Sequence, residues 1–256
     1  MAAGLLTDLP PAYERALRLI DQAHAEDPRR IRLDASGKVV QETSIFSAAA
    51  GSSVGSAAAS SAGKGGQDGD EEEKEKEKEV PYELHYAQKM TRWLRLRCPE
   101  ASPVLQVACR AQHFRRWEMP RDTFPKTRPG YLTWRAKQKS QAAQKVTELL
   151  QQQHQQDPAG DALPQSDIDR IAALIRKEGL GREDSDETQV LEDVACLVFL
   201  DDQFDDFESA AKVDEDKMVG LLRKTWGKMS ADGQKLALGM ELSERARELV
   251  AKALSD

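Results

Sequence analysis

The stretch VLEDVACLVFL, Val190 to Leu200, is apolar at nine of its eleven positions. As part of a helix from Thr188 to Leu200 it presents apolar groups in every direction, so it has to be enclosed on nearly all sides. Such a helix needs other helices around it, and that requirement sets the fold class. The two exceptions, Glu192 and Asp193, carry a constraint of their own. A lone ionised carboxylate in an apolar interior costs several kcal/mol. At least one of them is therefore expected to have a partner: an arginine, a histidine, a capping backbone group or a metal ion. A late helix start would leave one of them at an exposed end.

The neighbouring sequence supplies the surrounding helices. Ser166 to Lys177 opens with a Ser-x-x-Asp pattern (Ser166, Asp169) and stops at Gly179. Gly130 leads into a long helix from Tyr131 to about Gln153. Ser102 before Pro103 marks a helix start, with Leu105, Ala108, Cys109, Gln112 and His113 along its inner stripe. Pro81 opens a helix to about Arg97 that carries Tyr86, Met90, Trp93 and Leu94 on one side. Lys217 to Trp226 and Gln234 to Leu254 give two more. Near the start of the chain, Asp8 can cap a helix bearing Tyr13, Ala16, Leu17, Ile20 and Ala23, and Ile31 to Val40 reads as a Ser-Gly turn with extended flanks. No alternating β pattern of useful length occurs. The expected fold is all-α, a single multi-helix domain.

One composition break interrupts it. From Ser47 to Asp70 the chain is mostly Ala, Ser and Gly, followed by EEEKEKEKE from Glu71 to Glu79. With so little to bury, residues 43–80 are expected to form a disordered insertion. Residues 1–42 then belong to the same core as the main helical domain, 81–256. No apolar run approaches the roughly 20 residues a membrane span needs. The opening MAAGLLTDLPP lacks the basic and apolar regions of a secretory signal. Cys98, Cys109 and Cys196 are far apart among apolar neighbours and read as reduced. The expectation is a protein away from membranes, in the cytoplasm, with the nucleus as the other compartment left open.

The charge distribution is uneven. The chain carries a net charge of −7, yet Arg110 to Lys137 holds eight Arg or Lys against Glu118 and Asp122 alone. The same stretch has Phe114, Trp117, Phe124, Tyr131 and Trp134. Arg115 and Arg116 would end the His113 helix, where positive charge suits the macrodipole. Arg121, Lys126 and Arg128 fall on a proline-rich loop, and Arg135 opens the next helix. Planar guanidinium groups suit phosphate and carboxylate and stack on rings. Arg115, Arg116, Arg121, Arg128 and Arg135 are therefore candidate anion-binding residues. The plainer reading pairs these arginines with acids such as Glu192 and the DDQFDD run (Asp201 to Asp206), itself read as a solvated loop. His24 and His154, in polar surroundings, are expected to be exposed.

His85 and His113 lie on successive core helices, and an acid from a later helix, Asp193 with Glu192 as the alternative, could meet them. Nitrogen and carboxylate ligands of this kind suit one divalent transition metal such as Mn, Fe, Ni or Zn. The competing reading makes the histidines satisfied core or surface groups and pairs the acids with arginines.

The blocks PYELHYAQKMTRWL, RAQHFRRWEMPRDTFP, GYLTWR, QVLEDVACLVFL and RKTWGKMS resemble a family of fungal and bacterial proteins known as domain of unknown function 4202, a resemblance that covers nearly all of the chain outside the insertion. More distantly, the order His85, His113, Asp193 is similar to that of the helical histidine–aspartate (HD) phosphohydrolases. That likeness implies an HD-like fold and a metal site, and it departs at Phe114, where the HD pattern has an aspartate. The Lys228-Met229-Ser230 fragment resembles a signature of class I aminoacyl-tRNA synthetases, but no His-x-Gly-His partner and no Gly-rich strand–helix unit accompanies it.

Together these features imply a helical protein that binds a small phosphorylated or anionic ligand. In one form it is a metal-dependent phosphohydrolase, with His85, His113 and Asp193 holding a metal whose bound water attacks the substrate. The alternatives are a binding or scaffold protein without catalysis, and a single-stranded RNA binder using the Arg and aromatic loop. Nucleic acid is the less favoured partner in an acidic chain.

Overall fold

The computed structural model describes residues 9–34, 37, 39–42, 78–156, 162–181, 186–203 and 215–255. Helix α1 (Pro11–Ala25) starts after Pro10, with a proline in its first turn, where the missing N–H costs nothing. Asp8, the expected cap, lies outside the described residues. Strands β1 (Arg30–Leu33), β2 (Val39–Glu42) and β3 (Lys78–Pro81) form a small antiparallel sheet in the order β2-β1-β3. At the expected turn, Gly37 takes φ +79 and its N–H donates to the carbonyl of Asp34 at 2.9 Å, while Ser36 lies outside the described residues. Of the insertion expected over 43–80, residues 43–77 lie outside the described residues. Its last residues, Lys78 to Val80, are a strand instead, because β1 offers them an edge to pair with.

Helices α2 (Tyr82–Arg97), α3 (Pro103–Arg110), α4 (Arg128–Gln156), α5 (Gln165–Arg176) and α6 (Asp186–Val198) follow, and α6 runs on as a π-helical turn, Phe199–Gln203. Helices α7 (Glu215–Trp226), α8 (Ala231–Leu238) and α9 (Glu244–Leu254) complete the described chain. Ser102, Ser230 and Ser243 cap α3, α8 and α9 by accepting the N–H three residues on. The single helix expected over Gln234 to Leu254 is two helices. The chain leaves the helical path at Gly239, and Ser243 starts the next element.

The VLEDVACLVFL helix is enclosed as its composition requires: Leu191, Val194, Leu197 and Val198 have no exposed surface. They share one core with Ile20 of α1, Met90 and Leu94 of α2, Leu105 of α3 and Leu174 of α5. Burying each such side chain stabilises the fold by about 1.5–3 kcal/mol. Helices α2 and α6 pack antiparallel, since Arg97 meets Asp193 at one end and His85 meets Asp202 at the other. Helix α5 packs on α3 and α4, and α7 on α9. Among the described residues no helix is long and apolar enough to cross a membrane.

Candidate functional site

Helix α3 ends at Arg110, three residues before His113, and this corrects the expected path of the chain. A tight turn then places His113 at φ +62 and Arg115 at φ +51, and a 3₁₀ turn follows at Arg116–Glu118. Left-handed backbone at residues other than glycine is uncommon and costs free energy. Here Glu83 of α2 holds it in place. Its carboxylate, without exposed surface, accepts the N–H of Arg116 at 2.7 Å, that of Trp117 at 3.3 Å, and Arg29 at 3.2 Å. Burial pushes the Glu83 carboxyl above its usual range against the opposing pull of His24 and Arg29.

His24 was expected at the surface and is fully buried. Its Nε2 donates to the carbonyl of Arg110 at 3.0 Å, one of the carbonyls that α3 leaves free at its end, and its ring meets Phe114 edge-on. With Nε2 carrying a proton, Nδ1 can face the Glu83 carboxylate, 3.4 Å away, only with another proton between them. Asp27, also buried, accepts from Nε and Nη2 of the Arg29 guanidinium and from the N–H of Glu83, and so caps α2.

The turn delivers His113 and Arg116 to a solvent-facing wall of cationic side chains. The His113 ring stacks on Tyr86 of α2, centroids 4.1 Å apart, and its Nε2 accepts from Arg116 at 2.9 Å. Burial, then the charges of Arg116, Arg135 and Lys177, hold the imidazole well below its ordinary pKa, so it is neutral. The Arg116 guanidinium lies over the Trp134 ring at 5.1 Å. Burial and the nearby Arg135 draw its pKa down to about 10. Lys139, one turn after Arg135 on α4, is depressed by burial and then by Lys177 and Arg135. Among the described residues no carboxylate pairs with Arg116, Arg135 or Lys139.

Lys177 completes this wall from the end of α5. It sits at φ +58, in the left-handed position that usually takes glycine, and its N–H donates to the carbonyl of Leu174 at 2.9 Å. Its ammonium bonds Glu192 of α6, and Lys228, from the α7–α8 connection, approaches the same carboxylate at 3.6 Å. Burial would raise the Glu192 carboxyl, but Lys177, Lys228 and Arg135 outweigh it and keep it below its usual value. Cys196, one turn on, is pushed up to about 12 by burial and by Glu192, so its thiol stays protonated. His113, Arg116, Arg135, Lys139 and Lys177 all keep partial exposure, and Lys228 is exposed. This wall is open to solvent.

The residues expected to hold a metal are not brought together. Asp193 lies at the α8 end of α6, where both its oxygens are taken by Arg97 (2.8 Å), the Ser230 N–H and hydroxyl (2.8 and 2.5 Å) and Gln189 (2.9 Å). His85 donates to Asp202 at 2.9 Å, and His113 is committed to Arg116 and Tyr86. Among the described residues no group of three or more His, Cys, Asp or Glu side chains is placed to hold a metal ion. The carboxylates of VLEDVACLVFL do have partners, as their burial demands: Arg97, Gln189 and Ser230 for Asp193, and Lys177 and Lys228 for Glu192. The start of the acidic run is not solvated either. The π turn brings adjacent Asp201 and Asp202 toward α2, where Asp201 accepts from Lys89 (3.0 Å) and Trp93 (2.9 Å), and Asp202 from His85. His85 and Lys89 hold the Asp202 carboxyl low against the upward push of burial. Asp205 and Asp206, and the side chain of His154, lie outside the described residues.

Of the five arginines expected to bind an anion, Arg116 and Arg135 join this cationic wall. Arg115 pairs with Glu118 and, at 2.8 Å, with Glu26. Arg121 donates to the carbonyls of Phe124 and Pro125 at 2.9 and 2.8 Å and braces the loop over Tyr131 and Trp134. Arg128 is exposed at the start of α4. Lys139, Lys177 and Lys228 were missed. Lys139 had a local signal, four residues after Arg135 on one helix face. Lys177 and Lys228 are brought in only by tertiary packing.

The family model described as Domain of unknown function (DUF4202) matches residues 56–250. No curated protein and no solved structure matches the chain.

Proposed function

The chain belongs to this family, and because its description names no activity, we propose a function from the cationic wall: binding of a small phosphorylated or otherwise anionic ligand. The observation that supports it is the convergence of Arg116, Arg135, Lys139, Lys177 and Lys228 on a solvent-open wall, where Glu192 pairs with the last two. Like charges gathered this closely repel, and a protein tolerates them where an anion repays the repulsion. Two of the three non-glycine residues with positive φ among those described, His113 and Lys177, lie on this wall. Strain of that kind concentrates at ligand sites.

The proposal is of a binding site. His85, His113 and Asp193 are spent on other partners, so no step through a metal is derived from them. Single-stranded RNA binding by the aromatic loop has less support, because Arg115 and Arg121 are used to hold the loop itself.

The test is thermal unfolding in phosphate against chloride at equal ionic strength. A ligand at 100 times its dissociation constant stabilises the native state by about 2.7 kcal/mol, which is roughly 5–10 °C for a chain of this size. Arg135→Ala should remove the shift. An equal melting point in both salts would end the proposal.

A further inference from the structure

The two oxygens of Glu83 have separate tasks. Oε1 accepts the N–H of Arg116 at 2.7 Å, that of Trp117 at 3.3 Å and Nη2 of Arg29 at 3.2 Å. Oε2 meets Nδ1 of His24 at 3.4 Å, and neither side chain has exposed surface. The other nitrogen of that ring is committed: the Arg110 carbonyl 3.0 Å away can only accept, so Nε2 donates to it. The contact between Nδ1 and Oε2 therefore holds while one proton sits on either atom, and fails when neither carries it. The remaining charged groups at the pair have partners of their own. Asp27 and Arg29, from the α1–β1 connection, bond each other at 2.8 and 2.9 Å. The Arg29 guanidinium also lies over the ring of Tyr82, the neighbour of Glu83 on α2. Arg110 is held by Asp21 of α1 at 2.6 and 2.7 Å.

We propose that the proton shared by His24 and Glu83 is a pH-sensitive latch on the turn from His113 to Trp117, which is held while the proton is present and released as rising pH removes it to solvent. With the proton gone, the Nδ1 lone pair faces a carboxylate oxygen, and both are buried without a partner. The carboxylate lowers that cost by turning away from the ring, and Oε1 then gives up the N–H groups of Arg116 and Trp117. Those bonds oppose the strain of two left-handed residues, His113 at φ +62 and Arg115 at φ +51, so the turn relaxes once they are lost. Burial, the largest influence on the Glu83 carboxyl, favours its protonated form and keeps the proton in place at lower pH. His113 does not confuse the sign, because the fold holds it neutral and it takes up a proton only toward acid.

The test follows the amide protons of Arg116 and Trp117 in the full chain by hydrogen exchange. Rates are expressed as protection, which removes the intrinsic pH dependence of exchange, and Val194 in the buried core of α6 reports global opening. From about pH 6.5, where a free histidine titrates, to about pH 9, protection at Arg116 and Trp117 should fall at least about tenfold relative to Val194. In Glu83→Gln the carboxamide oxygen accepts the same N–H groups, and its NH2 donates to Nδ1 of a neutral His24. The held state is then permanent, and protection should stay level over that range. His24→Asn gives the same result by a different route, since its amide N–H takes the position of Nδ1 and has no proton to lose. Level protection in the wild type overturns the latch whatever the variants do, and so does a folded variant that keeps the wild-type fall. Arg116 also belongs to the cationic wall, but amide protection requires no ligand. Protection that falls as expected in a protein indifferent to phosphate leaves the latch standing and ends only the anion reading.

Discussion

Both oxygens of Asp193 are used by Ser230, one accepting its N–H at 2.8 Å and the other its hydroxyl at 2.5 Å. The buried core helix α6 thereby fixes the start of α8, and Arg97 of α2 closes the arrangement on the same carboxylate. Asp193 has no exposed side-chain surface and Arg97 little. Removing one partner of a buried pair leaves the other uncompensated and costs about 3–5 kcal/mol. Asp193→Ala is expected to lower stability by that amount in urea unfolding. A loss below about 1 kcal/mol, the range of exposed pairs, would mean the pair is not structural.

Neutral His113 makes stability depend on pH. In the unfolded chain a histidine titrates near 6.5, while in the fold its value is far lower, held down by burial and by Arg116, Arg135 and Lys177. The unfolded state therefore takes up a proton below pH 6.5 that the native state refuses, and stability falls as the pH falls. For one such group the loss between pH 7.5 and 5.5 is about 1.4 kcal/mol. His113→Phe keeps a ring against Tyr86 and removes the titration. Urea midpoints should move less with pH in the variant than in the wild type by that amount. Equal pH dependence would place the imidazole proton elsewhere.

The helices and the core stripe were legible in the sequence because hydrophobic periodicity is a local signal: Tyr86, Met90, Trp93 and Leu94 all face inward as spaced. The burial of Glu192 and Asp193 was legible too, since a helix apolar on every side leaves its carboxylates nowhere to go. The end of α3 was not. The apolar stripe runs on through Cys109 and Gln112, and nothing nearby announces that Glu83, some thirty residues earlier, takes the N–H groups of Arg116 and Trp117. His24 was misread for the same reason, as its partner is a carbonyl released by that early stop. The break between α8 and α9 did have a local mark in Gly239 and Ser243. The cationic wall lay furthest from view, because the ends of α5 and α7 supply Lys177 and Lys228 across long stretches of chain.

Gly130 is needed for space. A Cβ there would lie 2.2 Å from the carbonyl oxygen of Pro125, a backbone atom that cannot swing aside. In an exposed helix, Gly→Ala normally stabilises by about 1 kcal/mol. Here the contact should reverse the sign, with Gly130→Ala destabilising by about 1–3 kcal/mol, the usual cost of overpacking. The loop carrying Arg121 would be pushed off Trp134, so near-ultraviolet circular dichroism should change along with the urea midpoint. A more stable Gly130→Ala protein would show that the loop does not pack against α4 in this way.

Lys139 separates stability from function. Its ammonium is depressed by burial and by the charges of Lys177, Arg135 and Lys228, with Glu192 pulling the other way. The surrounding charge is thus mostly of its own sign. Lys139→Met keeps the length and apolar stem while removing a charge that the protein holds at a cost. The melting point in chloride is therefore expected to rise above that of the wild type, and the shift produced by phosphate to shrink or vanish. Both changes follow from the same repulsion, since the charge that its cationic neighbours oppose is a charge that attracts the anion. A structural lysine would behave otherwise, with its loss lowering the melting point in chloride and phosphate alike. Thermal unfolding of the two proteins in the two salts, four curves in all, decides between these roles.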